Sequence, residues 1–318
     1  MAEFPTRRTC GTHDVHLAML RSNPDYARAR TTIETRVRNL ALAGPAERAG
    51  PYRIPVVAHV IYRAAEENIS DQQITSQIDV LNRDFRMKNP DVTNVPAPFK
   101  QFASDAQIEF ALASRDPKGQ PTNGITRTQT TVPRFFEDNG MKFTASGGAD
   151  AWDSSRYLNI WVCPEIIRRD NGQPLLGYAQ FPGGLPATDG VAILHKAFGT
   201  TGTAGAPFDL GRTATHEIGH WLDLFHIWGD KSDCTGDDQV ADTPRQQQEN
   251  YGTPNFPHVT CDNGPNGDMF MNYMDYVDDR AMFMFTAGQV ARMQATLAGA
   301  RSTLGVPAVV ALAGVAVA

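Results

Sequence analysis

Long apolar runs are missing from this chain. The nearest candidate, Val306 to Ala318, is too short to cross a bilayer. That excludes a membrane-spanning helix and leaves an apolar tail (301–318) that packs locally or stays loose. An excess of basic charge is missing as well. Lys and Arg number 29 against 35 Asp and Glu, a formal net charge of -6, and no basic run offsets it. This argues against a general nucleic-acid binder. The stretch Met1 to Arg8 has no apolar core, so no secretory leader is visible in it; that absence does not make the chain cytoplasmic. Cysteine is sparse: Cys10, Cys163, Cys234 and Cys261. Cys163 ends the apolar run Tyr157 to Val162 and reads as a buried thiol in a strand. Cys234 and Cys261 lie in Gly/Asp/Pro-rich loop sequence. A disulfide between them would pin a long irregular segment and point to an oxidising compartment, but the residues alone leave the pairing open.

What remains is ordinary for a globular protein: 318 residues, 41% hydrophobic and 20% charged. Against it stands His216-Glu217-Ile218-Gly219-His220-Trp221-Leu222-Asp223-Leu224-Phe225-His226. His216 and His220 are four apart, so on a helix they share a face and can share a metal. Glu217 projects beside them, free to act as a base. His226 reaches the same metal only if the chain turns sharply near Leu222 to Leu224. Three imidazoles leave a fourth zinc position for water, as a catalytic site requires. A core helix that merely carries histidines would not need Glu217 and the third His at these offsets.

Around this motif the chain divides into three. Residues 1–50 form an Arg- and Ala-rich unit with a helix expected over Ala27 to Leu42. It ends in the Gly/Pro stretch from Ala43 to Pro51, a linker and candidate cleavage site. Residues 51–300 follow as the main domain. Strands are expected at Ile54–Tyr62, Gln107–Ala113, Tyr157–Val162 and Gly190–Leu194. A helix capped by Ser70 places Ile74, Ile78, Leu81 and Phe85 on one face. Between Trp228 and Thr286 regular structure is hard to find, and such a stretch needs extra fastening. Its clustered aspartates suit calcium as hard oxygen ligands, or else form a solvated acidic loop. A last helix is expected over Thr286 to Leu297. The class is α+β, split by a cleft.

The zinc stretch resembles the metzincin metallopeptidases, whose longer pattern is His-Glu-x-x-His-x-x-Gly-x-x-His followed by a methionine-containing turn. Here Asp223 stands at the Gly position, and Asp is among the few residues that tolerate the left-handed conformation the bend needs. The stretch Met269 to Tyr276 resembles the second element, with Met274 as the Met-turn residue and Tyr276 as the phenol near the metal. Further segments resemble the microbial branch of the pappalysin family: Ile54–Val57, Tyr157–Val162, Gly177–Pro182 and Asp242–Pro244.

The resemblance implies a two-subdomain metzincin-like fold: a twisted mixed sheet, a zinc helix, and an irregular C-terminal subdomain beginning after about residue 226. It implies a zinc endopeptidase acting on proteins or peptides, with Glu217 as general base and acid and Tyr276 assisting. A zinc aminopeptidase, or a noncatalytic binding protein on the same scaffold, are the alternatives. Calcium is implied in the C-terminal subdomain, with Asp238, Thr243 and Asp230 as ligands, and Cys234 with Cys261 as a disulfide. A Cys-Gly-Thr segment, Cys10 to Thr12, implies a pro-segment whose thiolate occupies zinc in a latent precursor. Asp278 and Asp279 follow the Met-turn, and Asp279 would favour Arg or Lys after the scissile bond. The resemblance also implies secretion; the charge and the lack of a long apolar run leave neither nucleic acid nor membrane as an expected partner.

Overall fold

A computed structural model of the chain describes residues 4–43 and 50–304. Most of the expected cleavage stretch, and the apolar tail beyond Leu304, lie outside the described residues.

Strand β1 (Tyr52–Tyr62) organises the sheet. Its apolar run is buried almost throughout, as a strand paired on both sides and covered on both faces must be. One edge pairs in parallel with β2 (Ile108–Leu112) and then with β3 (Ile125–Gln129). The other pairs in parallel with β5 (Leu158–Cys163). Beyond β5 lies β8 (Val191–Leu194), also parallel, and the antiparallel β7 (Gly177–Ala179) forms the far edge. Two short strands, β4 (Phe135–Phe136) and β6 (Ile166–Ile167), pair separately. The sheet is therefore mixed, with a single reversed strand at its rim.

Helix α3 (Asp71–Asp84) begins where Ser70 accepts the Gln73 amide at 3.1 Å, and buries Ile74, Ile78, Leu81 and the following Phe85. It backs α4 (Arg212–Trp221), to which Thr215 ties it by donating to Asp84 at 2.7 Å. After α4 no further α-helix forms among the described residues until α5 (Ala287–Ala298), started by a capping box between Thr286 and Gln289. The irregular stretch between is fastened by the Cys234–Cys261 disulfide and by two buried carboxylates. Asp268 accepts from Thr260 and Asn263; Asp275 accepts from Gln246 and Asn250. The architecture is the expected α+β fold in two subdomains.

Two boundaries differ from the sequence reading. The N-terminal unit has two helices, α1 (Thr12–Ser22) and α2 (Pro24–Ala43), divided at Asn23, whose side chain accepts the Asp25 and Tyr26 amides. Helix α1 packs Val15 and Met19 into the core and is tied to β7, where Gly11 donates to the Gly177 carbonyl at 3.0 Å. The main domain also runs past residue 300. Arg301 is buried, with its guanidinium on Asp189 and on the Trp221 carbonyl, and Leu304 is buried too. A guanidinium with buried acceptors belongs to the packed domain, so no tail begins before Leu304.

Candidate metal centre and active site

Helix α4 supplies His216 and His220 from one buried face. The helix ends at Leu222, and Asp223 then takes φ 76°, the left-handed conformation the bend needs. The chain reverses, and His226 returns to face the helix. Each imidazole uses Nδ1 on a fixed acceptor. His216 donates to the Tyr273 carbonyl at 2.7 Å, His220 to the Leu224 carbonyl at 2.7 Å, and His226 to Asp230 at 2.5 Å. Two of those acceptors are carbonyl oxygens and the third is a carboxylate, so Nδ1 must carry a proton, and in the neutral imidazole Nε2 keeps its lone pair. The three Nε2 atoms meet, His220 lying 3.2 Å from His216 and 3.0 Å from His226. When the imidazoles are neutral, lone pairs that close call for a cation. Ligands about 2.0–2.1 Å from one tetrahedral ion stand roughly 3.3 Å apart, which fits this spacing. Burial, and then the neighbouring imidazoles, hold His216 and His220 well below the ordinary histidine range, so both are ready as neutral ligands.

A fourth donor completes the set. Cys10 Sγ and one nitrogen from each histidine all lie within 4.8 Å of one another. Cys10 is placed by backbone pairing: its segment bridges β7 in parallel at Gly177, and Leu176 donates to the Thr9 carbonyl at 3.1 Å. Glu217 lies beside it, accepting from Thr12 Oγ1 at 2.9 Å and from the Cys10 thiol at 3.4 Å. Burial raises the Glu217 carboxyl to about 7, against the lowering effect of Thr12 and Cys10. A carboxyl poised there can take a proton and return it near neutral pH. Tyr276 stacks edge-on against His226 with ring centroids 4.9 Å apart, and its hydroxyl points at the Cys10 carbonyl, 3.5 Å away. Met274 lies beneath the helix: a Cβ on Gly219 would come within 2.5 Å of its sulfur. Small residue and thioether thus fit face to face.

Arg8 enters a closed pocket two residues before Cys10. Its guanidinium donates to the Val277 carbonyl at 3.1 Å, Thr213 Oγ1 at 3.1 Å and Asp279 at 2.6 Å, over the Phe208 ring. The other Asp279 oxygen accepts the Leu210 and Arg212 amides. The neighbouring Asp278 instead faces Arg280 at 3.5 Å.

The three residues expected as calcium ligands have different partners. Asp238 and Thr243 are together, Thr243 donating to both Asp238 oxygens at 2.9 and 3.0 Å. Asp230 is elsewhere. Its carboxylate holds His226 and, at 3.1 Å, His13 of α1, so both oxygens are committed to imidazoles. Asp230 is here the orienting partner of His226.

Residues 145–298 match the family model described as pregnancy-associated plasma protein-A. The chain is 30% identical over 302 residues to extracellular metalloprotease 1 of Coccidioides posadasii, covering 90% of this chain and 88% of that protein. A structure of promirolysin from Tannerella forsythia aligns with TM-score 0.84 and 46% identity, covering 94% of this chain and all of that one (100%). Mature mirolysin from the same organism, in complex with a cleaved peptide, aligns with TM-score 0.74 and 49% identity over 82% of this chain and 100% of that chain. The chain belongs to the pappalysin family of metzincin metallopeptidases.

This pappalysin is a metalloendopeptidase, and its family implies a catalytic metal at the histidine cluster. Three residues of the site were not singled out from the sequence: Arg8, Thr12 and Thr213. Arg8 and Thr12 each lie two positions from Cys10, so the Cys-Gly-Thr segment was a signal for both. Nothing local marks Thr213, which meets Arg8 across 205 positions.

Proposed function

We propose that this chain is a zinc-dependent endopeptidase made as a latent precursor, with His216, His220 and His226 holding the zinc. The convergence of three Nε2 lone pairs, each backed by an Nδ1 hydrogen bond, carries this reading. Zinc, when bound, lowers the pKa of a water from about 15.7 to about 7 and polarises a carbonyl. The chain's own residues do the rest. Glu217 takes the proton of the attacking water and delivers it to the leaving amine, a role supported by its burial and raised pKa. Tyr276, held by its ring contacts with His226 and Trp228, offers its hydroxyl to the scissile carbonyl oxygen.

In the precursor, Cys10 is the fourth ligand and excludes water. Its place beside Glu217 supports this, as does the precursor relative's match to 94% of this chain against 82% for the mature form. Activation removes the N-terminal segment by cleavage between Ala43 and Arg53. The buried Arg8–Asp279 contact supports a preference for Arg or Lys after the scissile bond, because a substrate cation would replace Arg8 in the vacated pocket. An endopeptidase is favoured over an aminopeptidase by the extracellular metalloprotease relatives and the mirolysin structures. Calcium at Asp238 and Thr243 is supported by a buried carboxyl that burial raises to about 8 and that, among the described residues, no basic side chain hydrogen-bonds. Secretion is supported by the name extracellular metalloprotease borne by relatives.

One experiment tests the core of this. Incubating the precursor with a denatured protein, with and without chelator, and sequencing the products should give metal-dependent cuts before Arg and Lys. Cys10→Ala should activate early. Cleavage that survives chelation would sink the zinc reading, and cuts before apolar residues would sink the acidic-pocket reading.

A further inference from the structure

The bend between His220 and His226 carries a carboxylate that a glycine would not supply. Glycine meets the φ of 76° without strain, so the Asp223 side chain must answer to something else. Asp223 is fully buried, and its carboxylate lies between two guanidiniums: Arg30 of α2 at 2.6 Å and Arg292 of α5 at 3.3 Å. Arg292 also donates to the Asp223 carbonyl at 2.6 Å and reaches back to Glu34 of α2 at 2.8 Å. Arg30 and Glu34, one turn apart on α2, face each other at 4.0 Å. The four side chains close a ring of alternating charge. One acid and one base come from the N-terminal segment, and one of each from the catalytic domain.

We propose that Asp223 and Arg292 form a docking site for the N-terminal segment, read by the Arg30/Glu34 pair of α2. The segment is thereby anchored at the bend as well as at Cys10. Arg30 adds a hydrogen bond to the Pro182 carbonyl at 3.1 Å and lies over the Phe181 ring, which itself packs edge-on against His220. The anchor thus sits one ring away from the histidine cluster. Its charge balance makes it separable. When the segment leaves, Asp223 keeps Arg292 as partner and no orphan charge remains in the catalytic domain. The segment's own pair is likewise neutral. A ring that cancels in each half can hold a precursor shut and still let go. This inference rests on the latent-precursor reading for its meaning, but the contacts themselves do not require zinc.

The test uses the full chain in a Glu217→Ala background, so that self-cleavage cannot confuse it. Cys10 and Cys163 are the two free cysteines, both buried. The rate of alkylation of Cys10 reports release of the segment, and Cys163, inside the sheet, reports global opening. Arg30→Met leaves Asp223 short of its closest partner and should raise Cys10 labelling by about tenfold or more, with Cys163 unchanged. Glu34→Gln, a milder change at a partly exposed position, should raise it about two- to threefold. Arg30→Lys should restore part of the protection. If Arg30→Met opens both cysteines, Glu34→Gln decides. Cys10 labelling that stays at the parent rate in both variants overturns the docking site. Repeating the series with chelator separates the two readings: a Cys10 rate indifferent to metal would sink ligation by Cys10, while the Arg30 effect would persist.

Discussion

Alanine at position 177 would put a methyl group where the Glu217 side chain now lies. Gly177 sits in the edge strand β7, with β8 on one side and the Cys10 segment on the other. A Cβ built there would come within 2.9 Å of the Ala192 carbonyl oxygen, 3.0 Å of Glu217 Cγ and 3.1 Å of Glu217 Oε1. Carbon contacts are comfortable at about 3.5–4.0 Å, so Glu217 must give by roughly 0.5 Å or more. Ala192 is held in the sheet and cannot yield; the side chain can. Overpacking of this kind costs about 1–3 kcal/mol, and each kcal/mol lowers Tm by about 2–4 °C in a domain of this size. The catalytic cost should be larger than the stability cost. A base misplaced by about 1 Å loses on the order of a hundredfold in rate, so Gly177→Ala should lower kcat by about 10- to 100-fold. Metal content should stay at the parent value, because the three atoms nearest the new methyl group belong to Ala192 and Glu217 and to no histidine. The assay is kcat on a peptide substrate for the activated enzyme, beside metal analysis and thermal unfolding. The stability loss should also shrink in a Glu217→Ala background, since one of the two clashing partners is then gone. A kcat within about twofold of the parent, at normal metal content, would refute the claim that bare backbone at 177 makes room for Glu217.

Three further outcomes follow from other parts of the structure. Asp230→Ala, which removes the acceptor for His226 Nδ1, should weaken metal binding by about 10- to 100-fold; competition with a chelator measures it, and unchanged affinity would remove Asp230 from the site. Replacing Cys234 and Cys261 together by Ser frees a loop with a sequence separation of 27 and should cost about 3.5 kcal/mol of unfolding free energy, measured by denaturant titration, so a loss below about 1 kcal/mol would mean that the buried carboxylates alone hold the subdomain. Burial lowers the Lys142 ammonium to about 7 against a smaller opposing effect of Asp189, and its Nζ donates to the Thr188 carbonyl at 2.7 Å. Between about pH 7 and pH 10 the unfolded chain therefore holds a proton that the folded chain does not, so this group makes stability rise with pH across that window, by at most about 1.4 kcal/mol per unit. Below about pH 7 both states are protonated and the slope vanishes. Lys142→Met should flatten the rise in unfolding free energy, and an identical slope in the variant would refute the assignment.

Local chemistry was legible in the chain itself. The spacing of His216, His220 and His226 called for a helix and a sharp bend, and Asp223 takes up the left-handed conformation there. Ser70 announced its helix through a hydroxyl that accepts the amide three residues on. Strands β1 and β5 were visible as apolar runs because parallel, doubly covered strands leave no polar face. Each of these signals spans a turn or a strand, the distance over which backbone geometry alone sets which side chains meet.

The remaining contacts join residues that no spacing relates. Arg8 meets Asp279 across 271 positions, and Arg30 meets Asp223 across 193. Asp230 looked like one more aspartate in an acidic loop until the bend brought it to His226. Asp223 itself shows the division. From the sequence alone it was a tolerable stand-in for glycine, defined by its backbone. Only the packing of α2 and α5 against the bend gave its carboxylate two guanidiniums. A carboxylate's partners are set by which elements close around it, and that depends on the topology of the whole chain rather than on its neighbours in sequence.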